Sequence, residues 1–123
     1  MARRRAPDPQ DFIPLTPQVF HILLALAEGE RHGYAIMQEA QDRSGGLVRL
    51  GPGTLYGAIK RLLEQGVLEE SEERPAPDAD DSRRRYYRLT GFGRSVLAAE
   101  ADRLAGLVRA VRSKRLVPRV RPS

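Results

Sequence analysis

Apolar residues recur three and four positions apart in four stretches of the chain, and this spacing predicts four α-helices. The first predicted helix begins after Thr16, whose hydroxyl group can cap it, and ends before Gly29. The second covers residues 33–43, the third lies within residues 50–66, and the fourth runs from residue 92 to residue 116. Four residues of the second helix are expected to face inward: Tyr34, Ile36, Met37 and Ala40.

Two β-strands are predicted near residues 67–73 and 83–90, in the segments VLEESEE and RRRYYRLT. Proline and aspartate between them predict the tip of a long hairpin. The sequence LVRL at residues 47–50 has room only for a short strand or a turn, and we place a short strand there. Three residues of the hairpin strands are expected on the buried face: Leu68, Tyr87 and Leu89.

The resulting order is helix, helix, short strand, helix, strand, loop, strand and long helix. This is the plan of a winged helix-turn-helix, a mainly α fold with a small β-hairpin wing (α+β), whose third helix enters the DNA major groove. The predicted division of the chain has four parts. They are a flexible N-terminal arm (1–14), a DNA-binding domain (15–90), a C-terminal dimerisation helix (91–117) and a flexible tail (118–123).

The third predicted helix has two different sides when its residues are placed 100° apart. One side holds mostly apolar residues: Leu55, Ile59, Leu62, Leu63 and Gly66. The opposite side and its flanks hold small, hydroxyl and cationic residues: Gly53, Thr54, Tyr56, Gly57, Lys60 and Arg61. Glycines let a helix approach a surface closely, and the helix N-terminus offers free N–H groups to a phosphate. We therefore expect this side to contact DNA. An ordinary solvated face is the alternative, and Tyr56 has the further alternative of packing on the wing.

The fourth predicted helix carries an apolar seam with spacings of four and three residues, the pattern of helix–helix pairing. The seam consists of five residues: Leu97, Ala101, Leu104, Val108 and Val111. Packing on its own domain is the alternative. A helix of this length would project beyond a three-helix core, so we expect it to join two copies into a homodimer. Four residues before it are expected to assist: Phe12, Ile13, Phe20 and Leu24.

The net charge of +5 suits a nucleic-acid or an anionic membrane partner, although an arginine-rich codon usage also explains it. The charges are unevenly distributed. Residues 43–63 and 82–99 contain basic residues and no acid, whereas residues 64–81 are acidic. Wing candidates for phosphate contact are Arg83, Arg84, Arg85 and Arg88. Because alternate strand residues face opposite ways, we expect two of them to contact phosphate and prefer Arg83 and Arg85. Three acids precede them, and these would either repel DNA or neutralise the arginines: Asp78, Asp80 and Asp81.

Several kinds of protein are disfavoured by what the sequence lacks. Without cysteine there are no disulfides and no thiolate sites. The sequence shows neither an apolar span long enough for a bilayer nor a secretory signal, so we expect a cytoplasmic protein with no membrane partner. No nucleophile elbow, phosphate loop or metal-ligand cluster is found, so no enzyme activity, cofactor or metal is predicted. His21 and His32 are interpreted as structural residues.

Three segments closely resemble the PadR family of bacterial transcriptional regulators: LTPQVFHILLALAEGERHGYAIMQEA, LGPGTLYGAIKRLLEQGVLEE and RRRYYRLTGFG. The resemblance covers about residues 14–116. It implies a dimeric winged-helix repressor that releases its operator DNA on binding a small molecule. It also implies that GTLYGAIKRL reads the DNA and that Arg83–Arg85 lie at the wing. Only one helix follows the wing, as in the shorter members, so no separate effector domain is expected.

A switch in such a dimer would act by favouring a geometry in which the two recognition helices no longer fit DNA together. The apolar space between the last helix and the first helix of the partner is the expected effector pocket, lined by Phe20, Leu24, Leu104 and Val108. A solid core would use the same residue types. The alternative function is a winged-helix adaptor that binds protein or RNA without recognising an operator.

Overall fold

The computed structural model describes residues 7–75 and 83–116. Within these residues one short 3-10 helix, Pro9–Phe12, precedes four α-helices and three strands. In chain order they are α1 (Pro17–Ala25), β1 (Arg31–His32), α2 (Gly33–Arg43), α3 (Pro52–Glu64), β2 (Leu68–Pro75), β3 (Arg83–Leu89) and α4 (Gly91–Ser113). The predicted hairpin tip with its three aspartates and both chain ends lie outside the described residues, as do the side chains of Arg83 and Arg84.

Three of the four α-helices begin at a side chain that caps them. The Thr16 hydroxyl accepts a hydrogen bond from the backbone N–H of Val19 at 3.2 Å, as the sequence predicts for α1. The His32 Nδ1 atom accepts one from the Ala35 N–H at 3.2 Å, and the Thr90 hydroxyl accepts one from Gly93 at 2.9 Å. A threonine cap of this kind stabilises a helix by about 1 kcal/mol, so Thr16 and Thr90 help to determine where α1 and α4 begin.

The sheet has the strand order β1-β3-β2, and all its pairs are antiparallel. The prediction of a short strand at residues 47–50 is wrong. The short strand is β1, which lies before α2 and pairs with Tyr86 and Tyr87 of β3. Residues 47–50 instead follow a turn in which Gly45 and Gly46 adopt positive φ angles, and Leu47 is 91% exposed. A two-residue strand is too short to show a hydrophobic period, so the sequence pattern does not predict it. The strand β1 forms because β3 offers unpaired backbone groups beside it.

The core lies where α1, α2 and α3 meet the sheet and the first turns of α4. Its fully buried members include Ile22, Leu23, Leu26, Ile36, Leu55, Val67 and Val96. The predicted burial of Leu68, Tyr87 and Leu89 is confirmed. The inward orientation of Tyr34 is wrong, since this side chain is 55% exposed and its hydroxyl accepts a hydrogen bond from Gln38. Two residues along a helix correspond to about 200°, so Tyr34 lies opposite the buried Ile36.

The first half of α4 packs against the domain, and the second half does not. Phe92 contacts Phe12 edge-to-face at 5.2 Å, so the predicted N-terminal arm includes a segment that contacts α4. Glu100 is only 1% exposed. Its carboxylate accepts hydrogen bonds from the Leu15 backbone N–H at 2.9 Å and from the Arg103 guanidinium. The hydrogen bond from Arg103 is the main cause that holds the pKa of Glu100 below its usual value.

Candidate nucleic-acid interface

The helix α3 buries one face and exposes the other, as its sequence predicts. Leu55, Ala58, Ile59 and Leu62 are buried. Four candidate contact residues are exposed: Thr54, Tyr56, Lys60 and Arg61. A Cβ atom on Gly53 would meet no atom within 4 Å, and one on Gly57 would meet only the Arg61 guanidinium, at 3.8 Å. The exposed side of α3 therefore has no side chain projecting at Gly53 or Gly57 and carries two cations, Lys60 and Arg61, at its edges.

The start of α3 is the only helix start among the four described α-helices that lacks a side-chain cap. Gly51 precedes Pro52 there, and neither residue can supply a side-chain hydrogen bond to the first turn. The N–H groups at the start of a helix have no partner within the helix and carry a partial positive charge. An uncapped start leaves these groups free to bind an anion from outside the domain.

Tyr56 occupies a position that the sequence does not reveal. A Cβ atom on Gly33, the first residue of α2, would overlap the Tyr56 hydroxyl group. With glycine at position 33 the Tyr56 side chain can lie across the start of α2, and a larger residue there would force that side chain to move. Tyr56 also lines a groove between α3 and the sheet. Its position therefore combines the two alternatives from the sequence, packing on the wing and an exposed place on α3. Its ring is about half exposed and remains accessible to a ligand.

The groove between α3 and the hairpin, which we call the wing groove, has a volume of about 230 Å³. Its lining consists of Tyr56, Ile59, Lys60, Leu63, Glu70, Arg85 and Tyr87. Lys60 and Arg85 come from the two acid-free segments of the sequence, and the fold brings both into this one groove. Arg85 is not alone there, because its Nε atom lies 3.4 Å from a carboxylate oxygen of Glu70. Burial is the main cause that raises the pKa of the Tyr87 hydroxyl, and the Glu70 charge raises it further.

The other face of the sheet carries a second ion pair. Arg88 lies directly opposite Glu69 in the strand register, and the two side chains are 2.8 Å apart. Strand alternation thus separates Arg88 from Arg85, as expected for wing arginines. Tyr86, also on β3, contacts His32 edge-to-face at 5.5 Å. The Arg88 side of the wing faces away from α3, so only the Arg85 side shares a groove with that helix.

Arg61 borders a different groove. This groove has a volume of about 410 Å³ and lies between α3, the start of α1 and the segment that precedes α1. Its lining includes Asp11, Leu15, Val19, Ala58, Arg61, Leu62 and Gln65. Lys60 and Arg61 therefore lie on opposite flanks of the exposed side of α3. The sequence shows them only as neighbours, because the N-terminal segment meets α3 through tertiary contacts.

The residues predicted for a dimer seam and an effector pocket differ in exposure. Leu97 packs against the core, and Leu104 is half-buried. Ala101, Val108 and Val111 are exposed, and so is Leu107, which the predicted seam did not include. Phe20 and Leu24 on α1 are half-buried. The second half of α4 therefore presents an uncovered apolar stripe within this single chain.

Neither metal ligation nor a membrane span is found in the part of the chain that the structure describes. Among residues 7–75 and 83–116, no three His, Cys, Asp or Glu side chains cluster as metal ligands. No helix in the same ranges is both long and apolar enough to cross a membrane.

The helix order, the three-stranded sheet and the exposed third helix define a winged helix-turn-helix protein. The family described as the transcriptional regulator PadR-like family matches residues 22–99, more than half of the chain. The chain belongs to this family of transcriptional regulators, which are not enzymes.

Two relatives in sequence each align with 70% or more of this chain. A transcriptional regulator of Mycobacterium tuberculosis is 41% identical over 91 residues, which cover 74% of this chain and 78% of the relative. An uncharacterised 37.1 kDa protein in a transposon of Streptomyces fradiae is 42% identical over 86 residues. That match covers 70% of this chain but only 22% of the Streptomyces protein, so the chain corresponds to a small part of that relative.

A solved structure supports the fold independently of close sequence similarity. Bacillus subtilis PadR, solved in complex with operator DNA, superposes with a TM-score of 0.55 and 19% identity. The superposition covers 85% of this chain and 49% of the Bacillus protein.

Proposed function

We propose that this protein is a sequence-specific DNA-binding repressor that works as a homodimer and releases its operator when a small molecule binds. The observation that carries the proposal is the composition of the exposed side of α3. No side chain projects from it at Gly53 or Gly57, and Lys60 and Arg61 lie on its flanks. An α-helix fits the DNA major groove, and removing side chains from its outer face brings the remaining donors nearer to the bases. Membership in a family of transcriptional regulators and the operator complex of Bacillus subtilis PadR support this reading.

Each proposed DNA contact has a distinct chemical role. The hydroxyl groups of Thr54 and Tyr56 can bond to a base edge or a phosphate, whereas Lys60 and Arg61 attract phosphate or bind the acceptors of guanine. Gly57 contributes by its lack of a side chain. At the wing we propose Arg83, Arg84 and Arg85, of which Arg85 shares the wing groove with Lys60.

The homodimer is proposed from the uncovered apolar stripe of α4. Leu107 and Val108 are each about half exposed, although apolar residues spaced four and three apart are those that a paired helix buries. In the proposed dimer the stripe pairs with a second copy through Leu97, Ala101, Leu104, Val108 and Val111. An apolar effector would then bind near Phe20, Leu24, Leu104 and Val108, where it can alter the distance between the two copies of α3.

The test begins with DNA selected from a random duplex library by the purified protein. We expect one enriched sequence with two-fold symmetry, and we expect binding to it to weaken steeply with salt. The slope of log K against log salt should be about −0.9 for each phosphate contact. A protein that enriches no sequence and binds no duplex at low salt would instead be an adaptor for protein or RNA.

A further inference from the structure

We propose that Glu70 limits the DNA affinity of the wing by neutralising Arg85 at the place where a phosphate chain has to pass. This inference rests on the proposed DNA-binding function. It assigns to an acidic residue a role that opposes binding, and it concerns the wing groove between α3 and the hairpin.

The position of the wing groove relative to DNA follows from the widths of an α-helix and of the DNA major groove. An α-helix with side chains is about 10–12 Å wide, and the major groove is about 12 Å wide. A helix in the major groove is therefore flanked on both sides by the phosphate chains that form the groove walls. The wing lies along one side of α3, so the phosphate chain on that side runs along the wing groove, which holds Lys60 and Arg85.

Glu70 lies in the same groove. Its partner in the strand register is Tyr87, whose buried side chain forms the floor of the groove, and its carboxylate is 3.4 Å from Arg85. The three charged side chains that line this groove therefore sum to one positive charge, where Lys60 and Arg85 alone would supply two. A phosphate that enters the groove meets a neutralised arginine beside a carboxylate of its own sign.

The ion pair is accessible enough to respond to a phosphate. The Arg85 side chain is 66% exposed and that of Glu70 is 40% exposed, so neither is locked in place by packing. Exposed ion pairs of this kind are weak, so the Glu70–Arg85 pair contributes little to the stability of the fold. Its consequence lies in the field that the groove presents to an anion.

The chain offers a matched control on the opposite face of the same hairpin. Glu69 precedes Glu70 in the same strand, is similarly exposed and pairs with Arg88 at 2.8 Å. Because the Arg88 side faces away from α3, Glu69→Gln removes the same charge from the same strand without altering the wing groove. The comparison of Glu70→Gln with Glu69→Gln therefore separates the local effect from the change in net charge.

The experiment measures binding to a random-sequence duplex and to the selected operator between about 50 and about 200 mM salt. We expect Glu70→Gln to bind both duplexes about three- to tenfold more tightly at the low-salt end, with a salt slope steeper by about 0.9 per protomer. Glu69→Gln should show a much smaller gain and an unchanged slope. The double variant Glu70→Gln/Arg85→Gln should return to near the wild-type affinity, because the groove again has one net positive charge.

The outcomes distinguish a failure of the proposed function from a failure of the role of Glu70. A wild-type protein that binds no duplex at low salt overturns the proposed function itself. If the wild type binds, equal effects of Glu70→Gln and Glu69→Gln overturn the role of Glu70 alone. Weaker binding by Glu70→Gln also overturns it, since Glu70 would then contribute an attractive contact. Circular dichroism checks folding, and Glu70→Thr, which also removes the charge but favours a strand, replaces the glutamine variant if that variant unfolds.

Discussion

Lys60 and Arg61 are neighbours in the chain but border different grooves of the folded protein. Lys60 lies on the wing side of α3, and Arg61 lies on the side of the segment that precedes α1. Both side chains are exposed, so neither contributes to the core. At the scale of the single residue, the proposed interface thus consists of groups whose removal changes the surface and leaves the packing intact.

The first prediction concerns these two cations. Lys60→Ala and Arg61→Ala should each weaken operator binding and make the salt slope less steep by about 0.9 for each lost phosphate contact. Thermal unfolding should change little, because exposed substitutions are usually within about 0.5 kcal/mol of neutral. Arg109→Ala, an exposed arginine on α4, is the control and should leave DNA binding unchanged. A large loss of thermal stability in either test variant would show that we have assigned the wrong face.

The second prediction uses the size of the side chain at position 57. Gly57→Ala and Gly57→Leu both favour the helix, by up to about 1 kcal/mol relative to glycine. A Cβ atom at this position is tolerated, so the alanine variant should fold well and retain much of its affinity. The leucine variant should fold equally well and lose operator binding, because its side chain holds α3 away from the bases. Operator affinity and unfolding curves of both variants provide the test, and tight binding by the leucine variant would contradict close docking.

At the scale of elements, the chain is tied together where α4 meets the segment before α1. Glu100 joins them, because its buried carboxylate receives hydrogen bonds from the Leu15 backbone and from Arg103. Gly93 allows α4 to approach the residue before β2 closely, since a Cβ atom there would overlap the backbone carbonyl of Val67. The orientation of α4 therefore depends on two specific contacts between separate parts of the chain as well as on apolar packing.

The third prediction concerns the pH dependence of this junction. The pKa of Glu100 is lowered in the folded state, so its charge stabilises the fold above the ordinary glutamate pKa. That contribution is lost as the pH falls through the lowered folded-state pKa. Glu100→Gln should therefore be less stable than the wild type by about 2 kcal/mol at neutral pH, and the difference should shrink in acid. Urea unfolding at several pH values measures this.

The control for the junction is Glu69→Gln, which removes an exposed carboxylate. It should change the free energy of unfolding by less than about 1 kcal/mol. A stability difference between Glu100→Gln and the wild type that stays constant with pH would show that the charge of Glu100 is not what stabilises the junction.

At the scale of the whole molecule, the proposed DNA recognition needs two copies of the chain. One exposed α3 covers only a half-site, and paired recognition helices require half-sites about 34 Å apart or a multiple of that distance. The apolar stripe on the second half of α4 is where we propose that the copies meet. Its exposed residues leave a surface that a monomer does not explain.

The fourth prediction tests this pairing. Leu104→Glu should dissociate the dimer, because it places a charge in the proposed seam, and it should reduce operator affinity without altering a DNA contact. Ala110→Glu, an exposed position about a third of a turn away from the seam, introduces the same charge and should leave the dimer intact. Sedimentation and operator titration of both variants provide the measurements. A Leu104→Glu protein that remains a dimer with wild-type affinity would refute the seam and the switch built on it.

The local features of this fold could be predicted because local chemistry produces them. Helical spacing and the Thr16 cap predict α1, and α2 begins and ends at the predicted residues. The buried and exposed sides of α3 follow from its period alone. Two predictions were wrong for different reasons. The strand β1 depends on a free edge of β3, which no short window of sequence shows. The exposure of Tyr34 follows from the helical period, because Tyr34 lies about 200° from the buried Ile36 and the two cannot both face inward.

The sequence by itself determined the helices, the hairpin, the composition of the exposed side of α3 and the family. These properties depend on periodicity, capping and short motifs, which act over a few residues. Only the tertiary structure decided that Gly33 makes room for Tyr56, that Lys60 and Arg61 flank different grooves, and that Glu70 neutralises Arg85 beside α3. Each of these contacts joins residues from separate elements, and their distances exist only after the hydrophobic core has fixed how those elements pack.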